Sequence, residues 1–430
     1  MGNPPVPAPS GFRRIFTALS IPNYRLFFAG QLVSVIGTWM QRVAQDWLIL
    51  EIGGGPIELA IGVALQSVPT LLLGVWGGLL VDRSKHVRQL LLASQLGMAL
   101  LALTLGLLTE TQHVNLATIY ISAFLVGLLN LVDKPARQSF VLEMVDESQA
   151  ANAISLNSSI NNAARLIGPA IAGVVIGIAG SGVAFLLNSL TFVAIVVALM
   201  LMRRDQLTPR PPEPRGGGQV RAGVAYAWRD HDIRLALVAT LVVSALAQNF
   251  RVVLPLMAAD VFDAGPSAYG WLMSFLGIGA IVGALICAYL ASPSIRMITV
   301  ELALFGVVTI LASLAPTYAL MLALMLGVGA GNTSFNTTSN ALVLLAAAPG
   351  MRGRILSLRN LMSNGATPAG SLAIGWVCQV WDARAGLAVG GLVCLLACVF
   401  LASRARSGSS STVDQPRTDL GAPEPEPPTS

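Results

Sequence analysis

The chain has 430 residues, 54 % of them hydrophobic and 11 % charged, with a formal net charge of +5. A soluble domain carries roughly 25 % charged residues, so water cannot be the main solvent for most of this surface. The excess of positive charge is spread by topology and not gathered for a polyanion, which argues against a nucleic-acid partner.

Twelve apolar runs are long enough for a bilayer core, which needs about 20 residues per helix. They fall at 25–50, 57–81, 87–109, 115–135, 152–178, 183–202, 233–258, 268–291, 297–315, 318–341, 354–380 and 384–402. The expected fold class is therefore an all-α membrane protein of twelve transmembrane helices in two six-helix halves. Residues 1–24 read as a cytoplasmic tail, 25–202 as the first bundle, 203–232 as a cytoplasmic linker, 233–402 as the second bundle and 403–430 as a disordered tail. The first apolar run exceeds a signal h-region and no small-residue cleavage site follows it, so no cleavable signal is expected.

With the N-terminus placed inside, Arg13, Arg14, Arg25, Arg83, Lys85, Arg88, Lys134 and Arg137 fall on the inner side. So do the arginines of the linker and Arg296, Arg352, Arg354, Arg359, Arg404, Arg406 and Arg417, while only Arg384 falls outside. Positive loops stay in the cytoplasm during insertion, which puts both termini there. Cys287, Cys378, Cys394 and Cys398 all lie in apolar spans; Cys394 and Cys398 share a helix face but have no His or carboxylate neighbours, and the cysteines read as packing residues, not metal ligands. No Gly-Lys-Ser/Thr phosphate loop occurs, so ATP or another cofactor is not expected, nor is an enzyme's nucleophile–base set evident.

The halves echo one another. Ala136–Leu142 aligns with Thr338–Leu344 at an offset of 202, and Gly168-Pro169 and Gly365–Gly370 interrupt helices at comparable places. Paired six-helix halves with interrupted helices suggest a transporter with its site between the repeats.

The segments Asn23–Gln31, Ile36–Gln41, Ala136–Gln138, Arg165–Gly173 and Arg352–Leu358 resemble the major facilitator superfamily, and within it the bacterial siderophore (enterobactin) and drug exporters. That resemblance covers residues 12–402. It implies secondary active transport by alternating access, usually coupled to protons, in a bacterial inner membrane. The loop Gly77–Arg88 resembles the superfamily's cytoplasmic gating motif, which makes Gly78, Asp82 and Arg83 gating candidates, although Lys85 and His86 depart from its usual glycine and basic positions. Gly78 is expected to admit a neighbouring helix closely. Gly168, Pro169 and Gly173 resemble the kinked motif of helix five in drug–proton exporters, with Ala164 and Ala172 in place of two of its glycines.

Charges inside a membrane are costly and point to function. Arg165 lies mid-helix beside Asn157, Ser158, Asn161 and Asn162, and Ser34, Thr38, Gln41 and Gln45 share a face of the first helix with Arg42 and Asp46 alongside. Further polar faces carry Gln248, Asn249 and Arg251; Asn332, Asn336 and Asn340; and Asn360, Ser363 and Asn364. Together they predict one polar cavity in which Arg165, Arg42, Arg251, Gln41, Asn161, Asn336 and Asn364 bind the cargo. Arg42 and Asp46 are four apart and are expected to pair, with Asp46 as the proton-coupling candidate. Anion and proton binding together would favour symport; a cation displacing the proton would give antiport. Glu301 is the main acidic candidate of the second half, but it lies just beyond Arg296 and is expected to form a local ion pair there rather than to act.

The expected function is export of a small amphipathic molecule, siderophore-like or drug-like, whose site tolerates or requires negative charge, with protons and membrane lipid as the other partners and a monomer as the unit. Uptake or lipid transport by the same fold, or a non-transporting sensor or scaffold, remains the alternative.

Overall fold

The computed structural model describes residues 17–84, 86–208, 219–290 and 293–409. The N-terminal tail up to residue 16, Lys85, the Pro- and Gly-rich 209–218 segment of the linker and the tail from 410 onward lie outside these. Every regular element among the described residues is helical. In chain order they are α1 (Pro22–Glu51), α2 (Pro56–Arg83), α3 (Val87–Glu110) and α4 (Leu116–Met144), then one continuous assignment, Glu147–Leu201. Gly180 divides that stretch: its φ of 85° and ψ of 166° leave helical space for a region that disfavours a Cβ, so 147–179 is α5 and 181–201 is α6.

After the linker come α7 (Gln219–Arg229), α8 (His231–Leu246) and α9 (Phe250–Leu256), the last running into a π turn at Met257–Val261. Then follow α10 (Pro266–Leu290), α11 (Ile295–Ser313), α12 (Tyr318–Ala346), α13 (Arg352–Gly365), α14 (Thr367–Val380) and α15 (Ala383–Ser409). Nine spans among the described residues are long and apolar enough to cross a bilayer, one of them the 55-residue Glu147–Leu201 that Gly180 divides. The α1 helix, rich in Gln and charge, and the α13–α14 pair, divided at Ala366, are the further stretches expected to cross.

Several helices outrun their apolar segments. The expected ends at 135, 341 and 402 become Met144, Ala346 and Ser409, and α5 begins at Glu147 instead of 152. Hydropathy stops at the lipid, whereas backbone hydrogen bonding continues into polar helix formers such as Gln149, Gln138 and Arg404. The linker also contains more order than expected, since α7 packs on α8 and α13 and the Tyr226 hydroxyl accepts the Ala348 amide at 3.1 Å. The backbone keeps helical angles through Pro169; the departure comes at Gly180.

The first six helices pack mainly on one another, α1 on α6 and its continuous neighbour α5, and α2 on α4; α10 packs on α12 and α11 on α15. Two seams join the groups, α5 with α10 and α2 with α14. Both are tight at the end of the molecule that carries Gly180. A Cβ on Gly173 would sit 2.9 Å from Ser267 Cα, and one on Gly270 would sit 2.5 Å from the Pro169 carbonyl. Ser267 and Ser274 donate to the Gly173 and Leu166 carbonyls at 2.8 and 2.9 Å, and Ser371 donates to the Ala60 carbonyl at 3.3 Å. At the opposite end, beside Ser84, the lining of α5 is open: Ile154 is 50 % exposed, and Ser158, Asn161 and Asn162 are exposed.

Candidate functional site

Asp46 occupies the last turns of α1, 1 % exposed, and is held from across the molecule. Arg251, on α9, grips it with two parallel hydrogen bonds, Nε to Oδ2 at 2.9 Å and Nη2 to Oδ1 at 2.6 Å. The Tyr269 hydroxyl of α10 donates to Oδ2 at 2.9 Å, and Arg251 Nη1 donates to the Gln66 side-chain oxygen of α2 at 2.6 Å. Bidentate guanidinium–carboxylate pairs are among the stronger and geometrically most specific polar contacts. This one ties α1 and α2 to α9 and α10. The expected Arg42–Asp46 pair does not form, because α9 delivers a second guanidinium whose planar fork fits the carboxylate head-on while Arg42 turns away along α1.

Arg42 lies over the Trp39 ring, with Cζ 4.7 Å from the centroid. Arg165, reaching from α5, meets the same ring at 5.5 Å. The close approach of the two helices depends on Gly168: a Cβ there would lie 2.9 Å from the Ile36 carbonyl and would run into the Trp39 side chain. Arg165 Nε is buried without a partner. Arg42 is near enough to Arg251, Asp46 and Arg165 to feel their charges, and Lys134, exposed on α4, feels those of Arg42 and Asp133. Cation–π contact offsets about 0.5–2 kcal/mol of such burial, which does not replace a counter-anion.

The acids nearby are already engaged. Asp133 of α4 accepts from Arg137 at 2.7 Å, from Gln95 at 2.5 Å and from Ser94 at 3.1 Å. Arg137 also reaches Ser34 of α1 at 3.5 Å, and Gln31 of α1 donates to Asn157 of α5. Asp46 and Asp133 being committed, Arg42, Arg165 and Lys134 form a cationic wall between α1, α4 and α5.

The remaining predicted binding residues divide. Gln41 is buried against α6, where it accepts from Asn188, so it packs helices and does not line the cavity. Asn161 and Asn364 are exposed and donate to the carbonyls of Asn157 and Asn360 one turn back. Asn336 takes Arg359 on its carbonyl at 2.8 Å, which holds α13 against α12. Among the gating candidates, Gly78 has open space around its Cβ position, and Gly77 instead is the glycine that meets α4, at Leu131. Arg83 is exposed and Asp82 half-buried. Glu301 does not pair with Arg296, which is exposed. It points instead to Thr338, whose hydroxyl donates at 2.7 Å. Trp39 and Tyr269 are the site residues that sequence reading missed. A Trp three positions before Arg42, opposite a glycine-bearing helix, was the available signal for the first.

A cavity of about 460 Å³ opens at the Gly180 end, lined by Leu256, Asp260, Trp381, Asp382 and Arg384 among others, beyond the ion pair and away from the cationic wall.

A helical fold of long apolar spans with charged groups buried between its two groups of helices is that of a multi-pass membrane protein, and the family match identifies it as a major facilitator transporter. A model of the transmembrane secretion effector family matches residues 14–426, and the chain belongs to that family. It is 24 % identical over 359 residues to the staphyloferrin A transporter of Staphylococcus aureus, covering 83 % of this chain and 90 % of that one. It is 25 % identical over 374 residues to the multidrug efflux pump Tap of Mycobacterium tuberculosis, covering 82 % and 86 %. A crystal structure of a POT family transporter in complex with a thioalcohol-conjugated peptide superposes with a TM-score of 0.72, over 90 % of this chain and 96 % of that one. At 13 % identity that likeness carries the fold alone.

Proposed function

We propose that the chain exports a small amphipathic organic anion by alternating access, coupled to protons at Asp46, from a bacterial inner membrane with both termini in the cytoplasm. The observation that carries this reading is the Arg42–Trp39–Arg165 stack, two cations on one ring with their nearest acids engaged elsewhere. A cargo with a carboxylate or other anionic group supplies the missing counter-charge, and the Trp39 ring supplies an apolar face. The similarity to the multidrug efflux pump Tap supports the export direction, and that to the staphyloferrin A transporter supports a siderophore-like cargo.

With the charge-rich loops inside, the tight Gly180 end is the outer one and the open Ser84 end faces the cytoplasm. Cargo then enters from within and meets the cationic wall below a closed outer latch, Asp46–Arg251. Opening outward requires that latch to break. Cargo bound from within opens the latch, and in the outward state Asp46 takes a proton from the outer water, which keeps Arg251 released. On return to the inward state the proton passes to the cytoplasm and the pair re-forms, so a proton moves in as cargo moves out. The six-helix bundles 25–202 and 233–402 act in this reading as the two rocking bodies, and the chain works as a monomer.

The test is untargeted mass spectrometry of cells and medium, comparing wild type with Arg165→Ala at matched abundance. Cargo retained in the variant's cells and depleted from its medium is the expected result. Loss from cells with gain in the medium would reverse the direction, and identical profiles would remove Arg165 from the site.

A further inference from the structure

Glu301 belongs to neither the latch nor the cationic wall. It stands on α11, 8 % exposed, and points between α10 and α12. The Thr338 hydroxyl of α12 donates to Oε1 at 2.7 Å, and the Cys287 thiol of α10 lies 3.5 Å from the same oxygen. That thiol also sits 3.6 Å from the Ser334 carbonyl and 3.5 Å from the Thr338 hydroxyl, so the donors around Oε1 are themselves enclosed. Oε2 is buried and has no partner.

No counter-charge reaches it. The α10 and α12 helices contain no charged residue between Pro266 and Leu290 or between Tyr318 and Ala346. On its own helix Arg296 is exposed. On α8, Arg234 turns to the Trp228 carbonyl and His231, and Asp232 is exposed. On α15, Arg384 binds the Ser313 carbonyl at the far end, Arg404 lies by Phe400, and Cys394 and Cys398 are free thiols. None of these forms an ion pair with Glu301 among the described residues.

A carboxylate in hydrocarbon surroundings with two neutral donors on one oxygen and nothing on the other is among the costliest arrangements a protein can hold. Such intramembrane acids mark cation or proton sites. We propose that Glu301 is a proton-binding site of the C-terminal half, separate from Asp46, with Thr338 and Cys287 fixing the carboxyl so that Oε2 takes and gives up the proton. Binding forms an O–H bond on Oε2 at the expense of a hydronium in water that reaches the site, and release returns the proton to water when α10, α11 and α12 move apart. The inference stands without the export reading, since it invokes neither cargo nor direction.

Infrared spectroscopy of the full chain in lipid at neutral pH tests it. The carboxylic-acid C=O band should be present in wild type and in Asp46→Asn, be lost in Glu301→Gln, and shift in frequency in Thr338→Val, which removes the hydrogen bond to Oε1 and leaves the acid. Glutamine keeps an oxygen for Thr338, so the fold should survive; if the variant does not accumulate, the Thr338→Val shift decides alone. An unchanged band in Glu301→Gln, or no shift in Thr338→Val, would overturn the proposal. So would disappearance of the band on exchanging potassium for sodium, which would make this a metal-ion site.

Discussion

Asp46 and Arg251 are 205 residues apart and share two hydrogen bonds, so each half of the transporter holds one charge of a single buried pair. Removing one partner of such a pair strands the other, a loss of roughly 3–5 kcal/mol in buried settings. Asp46→Asn should therefore weaken closure at the Gly180 end and flatten the pH dependence of transport. Arg251→Gln should do the same, and the exchanged pair Asp46→Arg with Arg251→Asp should recover part of it. The check is cargo flux in vesicles across a series of imposed pH gradients. Full pH-dependent flux in Asp46→Asn would remove the carboxylate from coupling.

How much of this was legible beforehand depends on sequence distance. Asp46, Arg42, Arg165 and Arg251 were visible as charges in apolar runs, because a single residue suffices to make that cost evident. Their partners were not. The i,i+4 spacing of Arg42 and Asp46 offered a local pair, and only the folded arrangement of α1, α9 and α10 shows that a remote guanidinium and Tyr269 reach the carboxylate first. Glu301 is a different failure. It is five residues from Arg296, which on a helix of 3.6 residues per turn places the two on well-separated faces, so the local ion pair could have been rejected from the sequence. The all-helical membrane class followed from hydropathy, while helix ends did not, because apolar patterning reports the lipid boundary and not the last hydrogen bond.

Trp39 should matter through the charges it carries. Trp39→Ala removes the shared ring beneath Arg42 and Arg165, where each contact is worth about 0.5–2 kcal/mol, so apparent cargo affinity should fall roughly 2- to 30-fold per contact. Trp39→Phe should recover part of the loss, because a smaller ring still presents a π face. Concentration-dependent transport at matched protein abundance measures this. An unchanged half-saturation concentration in Trp39→Ala would reduce the ring to packing.

The α5–α10 seam sets which side is shut. Gly173 and Gly270 bring their backbones into contact, Gly270 lying within 3.0 Å of Gly173 N at its Cβ position. Gly270→Val has no flexible side-chain tip to displace and meets the Pro169 carbonyl at 2.5 Å, so the Gly180 end should be wedged open. Leu276→Cys, deeper on α10, provides a reporter of water reaching past the seam. Its labelling by a membrane-impermeant maleimide from the outer side should rise several-fold when Gly270→Val is added. Equal labelling would mean that the seam closes despite the added volume.

Gly78 provides the opposite test, because it lies where the molecule is open. Its Cβ position has nothing within 4 Å, so Gly78→Leu should fold, accumulate and bind cargo as wild type does. Gly77 one residue earlier is different, since its Cβ would collide with Leu131, and Gly77→Leu should lower abundance. If the loop beside Ser84 closes against another helix during the cycle, the leucine at 78 obstructs only the closed state. Turnover should then drop at least about tenfold, a difference of roughly 1.4 kcal/mol between states, while binding affinity stays within a factor of two. Transport rate and equilibrium binding measured on the same preparation separate the two effects. Normal turnover in Gly78→Leu would mean that the Ser84 end closes without bringing a helix to this glycine, and the gate would have to be sought at Asp82 and Arg83 alone.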